Sequence, residues 1–188
     1  MRLSLVAAAL VVPSLLAAQP PADPITTAFK GRIAGMHRNL AQAFDSIPEA
    51  KFSYKPTPAQ LSIGYIAQHV ASDNYFFCSQ FGSMKATPEQ DNSGTPDSVR
   101  AAWPKARLVE NLKASFAFCD AAIGQVTDAS LAEQVEISFN GNSRKVGRAQ
   151  MVLGHALDLS DHYSQLANYM RLNGILPPTA LPRPPRGN

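Results

Sequence analysis

Only two cysteines and one tryptophan occur in the 188 residues, and the lysines and arginines never gather into a dense run. Two cysteines allow at most one intramolecular bridge. Scattered basic charge, with a formal net charge of +3, provides no footprint for a nucleic acid, so no nucleic-acid partner is expected. Internal repeats are absent as well. The long apolar run from Leu3 to Ala18 is short for a membrane span and contains Pro13. Behind Arg2 and with small residues at its exit, it reads as a secretory signal peptide over residues 1–18. No cysteine follows it to carry a lipid. The expectation is therefore a secreted or periplasmic protein with no stable membrane span after cleavage. Residues 19–178 then suffice for one domain with a single core, and residues 179–188 form a Pro-rich tail.

What the chain does have is helical periodicity. Phe29, Ile33, Met36, Leu40, Ala43 and Phe44 recur at helix spacing from Ile25 to about Ser46, before Pro48. On that first helix His37, among Arg32, Arg38 and Asn39, is read as facing solvent. A second helix is expected from an N-cap at Ser62 to Gly82, with Tyr65, Ile66, His69, Tyr75, Phe76 and Phe77 on a broad apolar face. Residues 83–103 are rich in Pro, Gly, Ser and Asp and read as a surface loop with at most one helical turn. A third helix should run from Pro104 to Val126. Val135, Ile137 and Phe139 then alternate with polar residues ahead of Asn140-Gly141, the signature of a small hairpin. A fourth helix should span Gly147 to Asn173, with Gly174 as a left-handed cap and Pro177-Pro178 forbidding continuation. The pattern predicts an all-α fold: a four-helix bundle of the up-and-down type, with a hairpin-like excursion before the last helix.

The segment GHALDLSDHYSQLANYMRLNGILP, Gly154 to Pro177, puts metal-ligand chemistry on an otherwise core-facing helix. At about 100° per residue, His155 and His162 lie about 20° apart around the helix and Asp158 about 40° from His162. His69 sits on another apolar helix. Two such helices side by side can converge imidazoles and a carboxylate on one point, although a histidine on a helix is more often a hydrogen-bonded core residue than a ligand. Asp73 lies one turn after His69, where it can orient an imidazole or hold a bound water. Gln165 lies three residues after His162 and either hydrogen-bonds a ligand or packs. Asp161 points about 100° away from His162 and is read as solvated. Cys78 and Cys119, in the apolar stretches YFFCSQF and SFAFCDAAI, are expected to form a disulfide after export, with buried free thiols as the alternative.

SYKPTPAQLSIGYIAQHVASDNYFFCS (53–79) together with DHYSQLANYMRLNGILPP (161–178) resembles the DinB-like family of four-helix metal-binding proteins. The resemblance covers about residues 25 to 178. It implies one histidine ligand from the second helix and two from an H-x-x-x-H element on the last, the second followed by x-G-Q. His69 and His162 match two of these positions. Asp158 stands where the middle histidine is usual, and Ser164 stands where the glycine is usual. Three readings follow: Asp158 coordinates directly, His155 substitutes from one turn earlier, or the site is degenerate. The first is preferred, giving His69, Asp158 and His162 as metal ligands and His155 as the alternative.

The implied cofactor is a divalent ion, zinc first, with nickel, iron or manganese as alternatives. The implied chemistry is metal-activated water acting as a hydrolase on a small-molecule substrate of unknown identity. The alternatives are a thiol-dependent S-transferase and a non-catalytic binding or structural bundle. Export disfavours the thiol chemistry, because small reduced thiols are cytoplasmic. A homodimer is left open.

Overall fold

The computed structural model describes residues 22–139 and 141–182. The expected signal peptide and the end of the tail lie outside them. The chain is mostly helical with a small two-stranded sheet. Six α-helices are described: α1 Pro24–Ser46, α2 Ile63–Cys78, α3 Pro88–Asp91, α4 Asp97–Arg100, α5 Lys105–Gly124 and α6 Arg148–Leu172. The strands β1 (Gln134–Phe139) and β2 (Asn142–Gly147) pair antiparallel, with Gln134 opposite Gly147 and Phe139 opposite Asn142. Among the described residues no helix is long and apolar enough to cross a membrane.

Local chemistry sets the helix ends. Pro24 opens α1, where its missing N–H would have had no partner in any case. The cap comes from a residue distant in sequence: the Asp128 carboxylate accepts from the Ile25 and Thr26 backbone N–H groups at 3.1 and 2.7 Å. This binds the start of α1 to the segment after α5 and places negative charge at a helix N-terminus. Ser62 caps α2, accepting from the Tyr65 N–H at 3.1 Å. Gly174 ends α6 with φ 71°, and the Ile175 N–H returns to the Met170 carbonyl at 2.9 Å.

Contact registers give the directions of the long helices. Asn74 with Ser115 and Cys78 with Cys119 share one offset in sequence, so α2 and α5 run parallel. His37 with Asp120 and Asp45 with Lys113 make α1 and α5 antiparallel. His69 with His162 and Asn74 with His155 make α2 and α6 antiparallel. The order is thus up, down, down, up, which corrects the expected up-and-down alternation. The cause is the connection 79–104, which returns from the end of α2 to the start of α2 before α5 begins. It is anchored throughout: Arg100 is buried, donates to Ser72 Oγ at 2.7 Å and to the Asp91 carbonyl at 2.9 Å, and pairs with Asp97. Gly64 lies against it so closely that an added Cβ would stand 2.4 Å from the Ala101 carbonyl oxygen. The loop expected with at most one turn carries two, α3 and α4.

The core between the long helices includes Ile33, Leu40, Phe44, Ile66, Val70, Leu112, Leu159 and Leu166, all fully buried. The Cys78–Cys119 disulfide crosses from α2 to α5 with a Cα–Cα distance of 5.2 Å. His37 departs from its solvent-facing reading: it is 5% exposed and stacks on Phe116 with ring centroids 4.4 Å apart. Its place four residues after Ile33 and three before Leu40 puts it on the apolar stripe of α1, whatever the polarity of its neighbours in sequence.

Candidate metal centre

The antiparallel contact of α2 and α6 brings two mirrored pairs together. On α2, His69 Nε2 lies 3.3 Å from Asp73 Oδ2; on α6, His162 Nε2 lies 3.4 Å from Asp158 Oδ1. Each pair spans one helical turn, the spacing at which side chains stack on one face. Because the helices oppose, imidazole faces imidazole: the His69 and His162 rings are 4.9 Å apart between centroids and nearly perpendicular, at 89°. One ligand atom from each of His69, Asp73 and His162 lies within 4.8 Å of the others, a spacing that can hold a metal ion.

Burial and charge bear on how this cluster behaves. Burial pushes the Asp73 carboxyl up to about 7, and the Asp158 charge adds to the effect while His162 opposes it. Burial also lowers the His69 pKa, helped by repulsion from His162. For His162 burial acts against the charged ring, but the hydrogen bond and charge of Asp158, with Asp73 and Gln165 in support, outweigh it and raise its pKa. Asp158 Oδ2 and His162 Nδ1 are buried without a hydrogen-bond partner. Two carboxylates and two imidazoles thus crowd one place with buried donors left over, a set that fits a divalent cation. His162 is almost buried, whereas His69 and Asp73 are a quarter to a third exposed, so one side of the cluster opens to solvent.

Residues 32–166 match the DinB superfamily. The chain belongs to the DinB superfamily. Solved DinB-like structures share its fold. A DinB-like protein from Bacillus cereus ATCC 10987 is 18% identical, with 81% of this chain covering 95% of that one at a TM-score of 0.60. A conserved protein from Enterococcus faecalis is 16% identical, with 79% covering 96% and a TM-score of 0.58. The mycothiol-dependent maleylpyruvate isomerase is 13% identical, with 75% of this chain covering only 60% of that one and a TM-score of 0.57. These likenesses concern the fold. No curated protein matches the chain.

Within this DinB-superfamily chain the expected site residues fall into two places. His69, Asp73 and His162 come together, and Asp158 stands against His162 at 3.4 Å. Gln165 lies one turn beyond His162 and donates to the Tyr169 hydroxyl at 3.3 Å. His155 does not join them: it is fully buried deeper in the core, where its Nε2 lies 2.9 Å from Asn74 Oδ1 and 3.8 and 3.7 Å from the two disulfide sulfurs. Burial drives its pKa down to about 3, so the ring is neutral. Sequence reasoning missed the rim formed by Tyr65, whose ring centroid is 5.8 Å from that of His69 and whose hydroxyl donates to Asp97 Oδ2 at 3.3 Å. Tyr65 stands one turn before His69, a spacing that could have marked it; Asp97 is brought in by the returning connection and leaves no local signal.

Proposed function

We propose that the chain binds one divalent ion through His69, Asp158 and His162, with the Asp73 carboxylate beside them, and that it is a hydrolase acting on a small molecule from outside the cytoplasm. The observation that carries this reading is the convergence of two imidazoles and two carboxylates from opposed helices, with one carboxylate oxygen buried and unpartnered. Zinc suits this nitrogen and oxygen set, and nickel, iron and manganese are the alternatives. A bound ion of this kind supplies Lewis acidity and acidifies a coordinated water. The chain's own residues would do the rest. Asp73, within 4.8 Å of the two imidazoles, stands where it can take a proton from an incoming nucleophile and return it to a leaving group. Asp158 fixes the His162 ring, and the exposed side at His69 and Tyr65 admits substrate. The up-down-down-up order supports a four-helix bundle as the frame, and export through a leader at 1–18 belongs to the same proposal.

The thiol-transferase reading has the mycothiol-dependent isomerase fold beside it, but at 13% identity that likeness carries no substrate. Metal analysis of the purified full chain, followed by assays on activated esters with and without small thiols, tests the proposal. A stoichiometric ion and thiol-independent ester hydrolysis lost in His162→Ala are expected. Absence of an ion, or turnover only with a thiol, overturns it.

A further inference from the structure

A second group of metal-ligand side chains lies in the core. One ligand atom from each of His37, Cys119 and His155 lies within 4.8 Å of the others, and Cys78 is bonded to Cys119. His155 Nε2 is 3.7 Å from the Cys119 sulfur and 3.8 Å from the Cys78 sulfur. His37 Nδ1 is 3.0 Å from the exposed Asp120 carboxylate, which fixes the ring with its other nitrogen directed inward. That nitrogen, His37 Nε2, is buried and has no hydrogen-bond partner, whereas the sulfur-facing His155 Nε2 lies 2.9 Å from Asn74 Oδ1, a contact that an incoming ion would replace. A carboxylate holding the outer nitrogen of an inward-facing histidine is an arrangement that orients metal-ligating imidazoles.

We propose that Cys78, Cys119, His37 and His155 form a redox-gated metal site, separate from the α2/α6 centre, which takes one soft divalent ion such as Zn(II) when a protein dithiol of the disulfide-exchange type, in place of a small cytoplasmic thiol, opens the disulfide. The reductant delivers two electrons and two protons, the S–S bond breaks, and two thiols form while the reductant becomes its own disulfide. The incoming ion then displaces two protons, leaving two thiolates and two neutral imidazoles around a dication. The net charge of that set is zero, the condition for placing an ion in an apolar core without an unpaired charge. Two sulfurs and two imidazoles are also the ligand set of tetrahedral zinc. While the disulfide is closed, its sulfurs hold each other and the ion is excluded. Phe77, which lines a cavity of about 600 Å³ with Ile137, Val146 and Met151, has its ring 5.8 Å from that of His155.

The test is a Co(II) titration of the full chain, oxidised and after reduction with a phosphine, which becomes the phosphine oxide with oxygen from water. The α2/α6 centre contains no sulfur, so thiolate-to-cobalt absorption reports the second site alone. Reduced protein should take up one more cobalt per chain than oxidised protein, with that absorption and with tetrahedral ligand-field bands, and should keep its helical circular dichroism. Asp120→Asn, at an exposed carboxylate, should weaken this cobalt about 10- to 100-fold, as loss of an outer partner does at other histidine sites. The proposal is overturned if reduction adds no cobalt, if Asp120→Asn leaves the affinity unchanged, or if the reduced chain loses its helical signal and cobalt fails to restore it.

Discussion

Replacing Asp73 with asparagine should stabilise the metal-free protein at alkaline pH while weakening its metal binding. The carboxyl moves from 3.8 to about 7 on folding because the folded site buries it beside Asp158. Between those values the native state holds a proton that the unfolded state has released, so stability falls as pH rises. At about 1.4 kcal/mol per unit the full penalty is about 4 kcal/mol, nearly all of it present at pH 8 and more than half relieved by pH 5. Asparagine keeps the shape and carries no charge. Urea unfolding in the presence of a chelator should therefore show Asp73→Asn more stable than wild type by up to about 4 kcal/mol at pH 8, by less than about 2 kcal/mol at pH 5, and by nothing near pH 3. In zinc the order should reverse, because the ion needs the charge. A variant destabilised equally at pH 5 and pH 8, or a wild type whose stability does not decline over that range, would refute the reasoning.

The other predictions follow from single contacts. Asp158→Ala should sharply reduce zinc affinity in a calorimetric titration and Asp158→His should retain it, whereas His155→Ala should leave that affinity unchanged. Free-thiol titration of the denatured oxidised chain should find none, and the Cys78→Ser, Cys119→Ser double variant should lose about 4 kcal/mol of unfolding free energy in urea from the loop released. Gly64→Ala should cost about 1–3 kcal/mol, since the new methyl meets the Ala101 carbonyl; a thermal midpoint equal to wild type would contradict that packing.

The four long helices were legible because each carries a 3.6-residue apolar stripe, and Ser62 and Pro104 each stand one residue before an observed start, although the second helix ends at Cys78, short of the expected Gly82. Asn140-Gly141 gave the hairpin, and the apolar surroundings of Cys78 and Cys119 gave the bridge. Helix direction was not legible. Nothing local states that residues 79–104 run back along the molecule, because buried Arg100 and its partners Ser72, Asp91 and Asp97 come from three elements. His37 was misread because polar neighbours in sequence outweighed its phase relative to Ile33 and Leu40. At the site, spacing on α6 marked His162 and Asp158, but the part of Asp73 depends on the antiparallel crossing, which brings its carboxylate among the imidazoles instead of behind them.

The central claim is that the α2/α6 pairs hold a divalent ion, and equilibrium dialysis of metal-stripped, oxidised full chain against zinc tests it most directly. The account predicts one zinc per chain for wild type and none for the His69→Ala, His162→Ala double variant, with both proteins keeping the same helical circular dichroism. Zinc uptake that is equal in the two proteins, or absent from both, would contradict it.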